Sequence, residues 1–303
     1  MQNVWEPEVA MTIEVARELI GTQFPELAPL QLNIMDYGFD NTVFQVNHRW
    51  VFRFPRREIA VELLEAEGGI LPFLHQQNLQ LELPLPTYYG KPSSMYPWPF
   101  LGYHYVKGKL PSHMKLVKRG EESAVKLAAF MKSLHKVDRK KLQEYYVPQD
   151  ELARLDVEKR FEPLEKNIQK IRELQLFTEV ETLHHYLSKV PTDLLPEEKT
   201  LVHGDLHFKN VVVNEEGILS GIIDWGDVHI GHRAVDLNMV YSFLTLEGRA
   251  AFFNIYGEVQ PIELEYARFK AIYTNVVLLL YGYHENQKAT VKEAQRSLEL
   301  ALI

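Results

Sequence analysis

Short apolar runs bounded by turn residues dominate the first hundred positions of the chain, and such runs predict β-strands. Strands are predicted over 30–35, 42–46, 50–54, 86–89 and 100–106. Two other stretches have apolar residues three to four positions apart, which predicts helices over 12–24 and 57–77. Thr12 is the expected cap of the first helix, and the adjacent Gly68 and Gly69 weaken the prediction for the second.

The remainder of the chain has mostly helical spacing, with one interruption. Helices are predicted over 120–136, 151–174 and 178–189, and in several stretches after 233. The interruption covers 200–224, where strands over 210–213 and 218–223 flank a turn of Asn214, Glu215, Glu216 and Gly217. The pattern therefore predicts an α+β protein with a small β-rich lobe over 1–106 and a larger, mostly helical lobe over 107–303.

Composition narrows the class of protein further. The net charge is −8, from 33 basic and 41 acidic residues, and the absence of a basic block argues against a nucleic-acid partner. Charge of this sign would suit a cationic small substrate, although it also serves solubility. No apolar run approaches the roughly 20 residues that cross a bilayer, and the amino terminus lacks the features of a signal peptide. We expect a monomeric cytoplasmic protein that contacts neither membrane nor nucleic acid, and the lack of cysteine excludes a cysteine nucleophile.

The densest group of polar residues lies in the β-rich interruption. In LVHGDLHFKNVVV, Asp205 precedes Asn210 by five residues, and Asp224 follows Asn210 by fourteen. Magnesium binds hard oxygen ligands and retains several waters, so the amide of Asn210 and the carboxylate of Asp224 suit a Mg²⁺–phosphate site. Asp205 is then placed to accept the proton of a substrate hydroxyl. His203 enters a tight loop and is expected to bond the backbone of that loop.

These residues resemble the two signatures of the aminoglycoside phosphotransferase family, a branch of the protein-kinase-like fold. The first signature, HGDLHxxN, is matched by His203, Gly204, Asp205, Leu206, His207 and Asn210. The second, IDWxDxxxGxxxxDL, is matched by Ile223, Asp224, Trp225, Asp227, Gly231, Asp236 and Leu237. The resemblance implies a two-lobed protein-kinase-like fold, Asp205 as catalytic base, Mg²⁺ at Asn210 and Asp224, and Asp236 as a brace for the catalytic loop.

The match is looser in the amino-terminal lobe, over DYGFDNTVFQVNHRWVFRFPR. Of a glycine-rich loop only Gly38 remains, and its neighbours Asp40, Asn41 and Thr42 are candidates to donate hydrogen bonds to a phosphate. Arg53 occupies the strand position where kinases usually carry a phosphate-binding lysine, and macrolide phosphotransferases resemble the chain here in a WVLR pattern. The arginine fork is bulkier than an ammonium group, so we expect a differently shaped phosphate pocket.

The resemblance also implies a carboxylate partner for Arg53 on the second helix. Glu67 is the first choice, with Glu62 and Glu65 as alternatives in register. The segment PFLGYHYVKG resembles the connection between the lobes, whose backbone groups bond the edge of the purine. There the carbonyl of His104 and the amide of Val106 are the candidates.

Acceptor binding has the weakest sequence signal. Asp227 and Trp225 lie beside the expected metal ligand and are candidates to contact the acceptor, with Glu258, Glu263 and Glu265 as secondary candidates. The interleaved charges over 150–166 predict a solvated helix face. Aminoglycosides, macrolides, other antibiotics and metabolite alcohols all stay open as acceptors.

The sequence therefore predicts a kinase that transfers the γ-phosphoryl group of ATP or GTP to a hydroxyl of an aminoglycoside-like or other small acceptor. Two alternatives stay open. One is a metal-dependent hydrolase with zinc at His203, Asp205, His207 and Asp224, and with His229 and His232 nearby in sequence. The other is a catalytically silent nucleotide-binding protein, which the sparse glycine loop and Arg53 suggest.

Overall fold

The computed structural model describes residues 8–38, 40–77, 79–191 and 193–303, which divide into two compact units. The first unit contains the described residues of Met1–Asn78, Leu83–Val106 and Gln143–Val147. The second contains those of Leu79–Glu82, Lys107–Leu142 and Pro148–Ile303. The boundary falls near residue 106, but Leu79–Glu82 belongs to the second unit and Gln143–Val147 to the first. The division into two functional domains stays a prediction.

A five-stranded antiparallel sheet forms the first unit. Its strands are β1 (Leu32–Tyr37), β2 (Asn41–Val46), β3 (Trp50–Pro55), β4 (Pro86–Gly90) and β5 (Phe100–His104). Their order is β1-β2-β3-β5-β4, and each neighbouring pair is antiparallel. The turn from β2 to β3 contains Asn47 and His48, both with positive φ (51° and 55°), which is the backbone that matches the twist of a tight hairpin.

Aromatic residues at alternating positions form the buried face of this sheet. Phe52 and Phe54 of β3 and Phe100 of β5 have no accessible surface. The rings of Phe54 and Phe100 stack with their centroids 4.4 Å apart. Because side chains alternate between the faces of a strand, Arg53 lies on the opposite face from these rings.

Two helices complete the first unit. Helix α1 (Ile13–Gln23) begins after Thr12, whose side chain accepts a hydrogen bond from the amide of Val15 at 3.3 Å. Helix α2 (Ile59–His75) continues through both of its glycines. A Cβ on Gly68 would lie 2.7 Å from Cδ1 of Leu101 in β5, so glycine permits the helix to approach the sheet closely.

Seven helices and four short strands make up the described second unit. The helices are α3 (Glu121–His135), α4 (Val157–Glu173), α5 (Val180–Tyr186), α6 (Ala234–Ser242), α7 (Leu246–Tyr256), α8 (Pro261–His284) and α9 (Lys288–Leu302). The strands are β6 (Thr200–Val202), β7 (Val211–Val213), β8 (Leu219–Ile222) and β9 (His229–Gly231). Antiparallel pairing joins β6 to β9 and β7 to β8, so the connections between these strands lie close together.

Some element boundaries differ from those the sequence predicts. The helix expected over 151–174 begins only at Val157, because Asp156 caps it by accepting a hydrogen bond from the amide of Lys159 at 2.9 Å. The strand expected over 100–106 ends at His104. The sequence pattern does not predict β9, whose three residues are too few to show alternation. None of the helices in the described part of the chain combines the length and apolar character needed to cross a membrane.

Candidate active site

A buried carboxylate on α6 holds the loop that connects β6 to β7. Asp236 has no accessible surface, and it accepts hydrogen bonds from the backbone amides of His203 at 2.8 Å and Gly204 at 3.0 Å. Nε2 of His135 lies 3.1 Å from the same carboxylate, and Nδ1 of His135 lies 2.7 Å from the hydroxyl of Tyr256. Burial alone would raise the pKa of Asp236, but the bonds from His135 and from the loop amide outweigh it and hold that pKa below its usual value. Asp236 is therefore an ionised brace for the loop, in the position that the family resemblance implies.

Glycine is required at the second position of this loop. Gly204 has φ +90°, a conformation that residues with a Cβ rarely adopt. A Cβ at this position would also collide with the carbonyl oxygen of Asp227 and would lie 2.7 Å from Nδ1 of His229. The loop is thus seated directly against the segment that contains Asp227.

His203 bonds the backbone of the loop, as expected from its sequence position. Its Nδ1 accepts a hydrogen bond from the amide of Asp205 at 3.3 Å, so the proton is on Nε2, which donates to the carbonyl of Ile223 at 3.1 Å. The imidazole is fully buried. It therefore ties the loop to the end of β8 and has no surface from which to exchange protons with a substrate.

The carboxylate of Asp205 has one oxygen held and one oxygen open. Nδ1 of His207 accepts from the amide of Lys209 at 3.2 Å, so Nε2 carries the proton and donates to Oδ2 of Asp205 at 3.1 Å. Nδ2 of Asn210 also donates to Oδ2 at 3.3 Å, and to the backbone carbonyl of Asp205 at 2.9 Å. No described residue donates a hydrogen bond to Oδ1, and 34% of the side chain is accessible. A fixed carboxylate with one open oxygen can receive the proton of a bound hydroxyl.

Electrostatics keep this carboxylate ionised. Partial burial would raise the pKa of Asp205, but the electrostatic interaction and hydrogen bond with His207 outweigh it, with further help from the charge of Lys270. The pKa of Asp205 therefore lies well below its usual value. Lys270 is a buried residue of α8, and burial lowers its own pKa while the carboxylates of Asp205 and Asp227 oppose that change.

Asn210 and Asp224 fit a magnesium ion by their chemistry. The amide nitrogen of Asn210 is engaged with Asp205, so its amide oxygen is the atom that can bind a cation. The carbonyl of Asn210 accepts from the amide of Ile223 at 2.9 Å, which fixes β7 next to the residue that precedes Asp224. Asp224 is exposed and has φ +64°. An amide oxygen and a carboxylate next to the ends of adjoining strands are suitable ligands for Mg²⁺, which takes its others from phosphates and water.

A buried arginine that the sequence assigns to a solvated helix face lies at this site. Arg154 is 8% exposed and belongs to the irregular segment before α4, so the expectation of a solvated helix is wrong at this position. Its Nη1 donates to Asp150 at 2.7 Å, and its Nη2 forms a short ion pair with Oδ1 of Asp227. Burial and the charge of Asp205 raise the pKa of Asp227, and Arg154 opposes both. The sequence signal for Arg154 was only its spacing of four from Asp150, which exposed helical pairs share.

Trp225, a candidate to contact the acceptor, has a fully buried side chain, and the contact stays a prediction. Its Nε1 donates to the carbonyl of Ile222 at 3.4 Å, and its ring lies edge-on to Phe130 and His203. Through its contact with His203, this buried ring packs against the loop that connects β6 to β7. Glu263 is likewise occupied, because Arg233 donates two hydrogen bonds to it at 2.7 Å.

The zinc site of the hydrolase alternative does not form. Across 8–38, 40–77, 79–191 and 193–303, no three histidine, aspartate or glutamate side chains are grouped to hold a metal ion. Nδ1 of His229 donates to the carbonyl of Asp227 at 2.7 Å, and Nε2 of His232 lies 3.5 Å from Glu263. His229 and His232, which lie nearby in sequence, therefore do not complete such a group among the described residues.

In the first unit, Arg53 and Glu67 form the ion pair that the resemblance implies. Nη1 of Arg53 lies 3.0 and 2.7 Å from the two carboxylate oxygens of Glu67, which is 1% exposed. Helix α2 therefore directs Glu67 toward Arg53. Of the three candidate glutamates, Glu67 is the partner, and not Glu62 or Glu65. Because the guanidinium lies on the face opposite the aromatic core, the pair fixes its position on β3.

The polar loop before β2 is folded on itself. The amide of Gly38 donates to the carbonyl of Asn41 at 3.0 Å, and the carbonyl of Gly38 accepts from Arg56 at 2.5 Å. Asp40 forms an ion pair with Arg57. Thr42 is 1% exposed and Asn41 is 7% exposed, so both side chains are buried in this structure. The assignment of Asn41 and Thr42 to a phosphate stays a prediction.

The segment proposed to bond the purine follows the end of β5. The amide of His104 donates to the carbonyl of Leu85 at 3.2 Å, and the amide of Tyr105 donates to the carbonyl of Arg49 at 2.9 Å. Val106 is buried. The assignment of the His104 carbonyl and the Val106 amide to the purine stays a prediction.

Comparison with known proteins identifies the family. The model of the phosphotransferase enzyme family (APH) matches residues 35–271, and the chain therefore belongs to this family. The resemblance to aminoglycoside phosphotransferases is confirmed. A comparison with curated protein sequences gave no significant match.

Solved structures show the fold. The GDP and kanamycin complex of APH(2")-IIia is 24% identical, covers 94% of this chain and 97% of its own, and has a TM-score of 0.64. The streptomycin–ATP complex of APH(2")-IIa is 20% identical, with coverage of 96% and 97% and a TM-score of 0.58. Macrolide 2'-phosphotransferase type I is 17% identical, with coverage of 96% and 98% and a TM-score of 0.58. These likenesses confirm the predicted α+β, protein-kinase-like fold.

Proposed function

We propose that the protein is a small-molecule kinase that transfers the γ-phosphoryl group of ATP or GTP to a hydroxyl of an aminoglycoside-like or other small acceptor. The arrangement around Asp205 supports this most strongly, because His207 and Asn210 hold one carboxylate oxygen and leave the other accessible. The names of the similar structures include GDP, ATP, kanamycin and streptomycin as bound molecules. ATP and GTP are therefore candidate donors, and aminoglycosides are candidate acceptors.

Each unit contains candidate residues for binding the donor. Asn210 and Asp224 would hold Mg²⁺, which when bound neutralises charge on the phosphate oxygens. Arg53, fixed by the buried Glu67, would contact the phosphates through its guanidinium. The polar loop around Gly38 would add backbone amides. Catalysis then depends mainly on alignment and charge neutralisation, because phosphoryl transfer passes through a loose transition state.

The acceptor step belongs to Asp205. Oδ1 accepts a hydrogen bond from the acceptor hydroxyl and orients its oxygen toward the γ-phosphorus. As the new oxygen–phosphorus bond forms, the bond to the β-phosphate oxygen breaks and the hydroxyl proton passes to Oδ1. The products are the phosphorylated acceptor and the nucleoside diphosphate. The hydrogen bond from His207 keeps Asp205 ionised beforehand.

An acceptor panel tests the proposal. Nucleoside diphosphate release is coupled to a spectroscopic readout with ATP and, separately, GTP, over kanamycin, streptomycin, gentamicin, erythromycin, choline and homoserine. We expect at least one acceptor to stimulate release and to gain one phosphoryl group by mass spectrometry. Tight nucleotide binding without acceptor-dependent release across the panel would contradict the proposal and favour the catalytically silent alternative.

A further inference from the structure

The ion pair between Arg154 and Asp227 lies beside the proposed base and has no part in the transfer step described above. Two hydrogen bonds anchor Arg154 to Asp150, one from its backbone amide at 2.8 Å and one from Nη1 at 2.7 Å. Its Nη2 forms the short contact with Oδ1 of Asp227. The guanidinium is therefore held through both of its terminal nitrogens. Arg154 lies in a segment without regular secondary structure, and fixing so long a side chain there costs conformational entropy.

The backbone of Asp227 is fixed next to the catalytic loop. His229 donates from Nδ1 to the carbonyl of Asp227 at 2.7 Å, and the same carbonyl packs so closely on Gly204 that no Cβ fits between them. Gly204 immediately precedes Asp205 in the chain. The position of Asp227 relative to the base is thus set by contacts on both its backbone and its side chain.

The carboxylates of Asp205 and Asp227 share one feature. Each has one oxygen occupied by a protein donor, and in the described ranges of the chain neither second oxygen accepts a hydrogen bond. About a third of each side chain is accessible, 34% for Asp205 and 36% for Asp227. Two open carboxylate oxygens on adjoining segments match an acceptor with two neighbouring donor groups, such as a vicinal diol or amino alcohol.

We infer that Arg154 is a positioning residue that determines acceptor specificity. It occupies Oδ1 of Asp227 and so aims Oδ2 at the donor group next to the reacting hydroxyl, which itself bonds Oδ1 of Asp205. Arg154 also offsets part of the negative charge of Asp150 and Asp227, so that Asp227 acts as a hydrogen-bond acceptor beside a second carboxylate. The inference rests on the proposed function, because it assigns the acceptor class of the same site.

A double-mutant cycle tests whether Arg154 acts through Asp227. The four proteins are the wild type, Arg154→Gln, Asp227→Asn and the double variant, with kanamycin and erythromycin as acceptor probes. Asp227→Asn keeps an oxygen for Arg154 but replaces the second oxygen by an amide donor. A hydrogen bond to a charged group is worth about 1.5–3 kcal/mol, so each single variant should raise the acceptor KM roughly 10- to 100-fold. The nucleotide KM should stay within about twofold of the wild-type value, because independent sites affect each other by no more than about 0.5 kcal/mol.

Non-additivity is the decisive result. If Arg154 acts through Asp227, the double variant loses no more acceptor affinity than Asp227→Asn alone, and Arg154→Lys restores part of the loss because an ammonium can still bond Oδ1. Arg172→Gln is the matched control, since Arg172 pairs with the exposed Glu181 and should leave both KM values unchanged. Where Arg154→Gln fails to fold, Arg154→Lys is measured alone: a smaller rise of the acceptor KM with an unchanged nucleotide KM supports the inference, and an unchanged acceptor KM contradicts it.

The outcomes separate this inference from the proposed function. A wild type that phosphorylates neither probe nor any other acceptor contradicts both. An active wild type whose single-variant losses add in the double variant, or whose acceptor KM is unchanged in Arg154→Gln, contradicts the inference alone. An equal rise of acceptor and nucleotide KM would indicate a general structural role and would also overturn it.

Discussion

The buried brace of the catalytic loop allows a quantitative prediction. Oδ2 of Asp236 accepts from the amide of His203 and lies within bonding distance of His135, while Oδ1 accepts from the amide of Gly204. Asp236→Asn preserves the shape of the side chain but replaces one oxygen by an NH₂ group, which cannot accept. At least one buried donor then loses its partner, whichever way the amide is oriented.

The size of the effect follows from these contacts. A hydrogen bond to a charged group is worth about 1.5–3 kcal/mol, and leaving a buried N–H unpaired costs about 1–3 kcal/mol. We expect Asp236→Asn to lower the free energy of unfolding by roughly 3 kcal/mol, which corresponds to about 5 °C in Tm for 303 residues at about 2.1 cal/mol/K of unfolding entropy per residue. Turnover should fall as well, because the amides of His203 and Gly204 orient Asp205.

The pH dependence gives a second readout for the same variant. The pKa of Asp236 is below its usual value, so its ionisation stabilises the fold above the unfolded-state pKa of about 3.9. This stabilisation is lost as pH falls through the lower, folded-state pKa. Asparagine does not titrate, so the stability gap between wild type and variant should be full at about pH 7 and should narrow below about pH 4.

Urea unfolding of the intact chain from neutral to acidic pH measures both effects. Asp138→Asn is the matched control, because Asp138 is exposed and accepts one hydrogen bond from the amide of Lys140, which asparagine can replace. The control should change stability by no more than about 0.5 kcal/mol. A gap below about 1 kcal/mol for Asp236→Asn at neutral pH, or a gap that does not narrow in acid, would refute the reasoning.

Four further outcomes follow from the site. Glu67→Gln should raise the nucleotide KM roughly tenfold without changing the acceptor KM, since a charge-assisted bond to Arg53 is lost; steady-state kinetics with an unchanged nucleotide KM would count against it. Gly257→Ala, with φ +106° but open space around it, should lose only the backbone strain of about 1–3 kcal/mol, whereas Gly204→Ala should lose more, because its Cβ also collides with Asp227. Equal losses of unfolding free energy in urea would contradict that collision. Asp224→Ala should weaken Mg²⁺-nucleotide binding in calorimetric titration, and unchanged affinity would exclude a ligand role. Chelation by EDTA should abolish turnover, which excess Mg²⁺ should restore, and full activity in EDTA would exclude a divalent cation.

Local pattern was sufficient for much of the fold. The short apolar runs over 42–46 and 50–54 predicted two strands, and the structure pairs β2 with β3 as an antiparallel hairpin. Thr12 caps α1 as expected, because an N-cap depends only on the residues that immediately follow it. The two family signatures, one around Asp205 and one that ends near Asp236, identified the catalytic loop and the carboxylate that braces it.

Tertiary packing decided what the sequence could not show. Arg154 and Asp150 have the spacing of an exposed helical pair, and only the fold reveals that Arg154 is buried and reaches Asp227. Lys270 lies in an apolar helix far along the chain from Asp205, and no local pattern connects them. Trp225 lies beside a polar loop in sequence, yet the fold turns its ring into the core. In each case long-range packing overrides the local environment.

The assignment of Asp205 as base is tested most directly by Asp205→Asn, with turnover and nucleotide affinity measured on the same protein. Asparagine retains the bonds to its neighbours but cannot take a proton, so kcat should fall roughly 10²- to 10⁴-fold, the usual contribution of general-base catalysis. The dissociation constant for Mg²⁺-ATP should stay close to the wild-type value, because Asn210 and Asp224 are unchanged. A variant that binds the nucleotide normally and turns over at the wild-type rate would contradict the proposed chemistry.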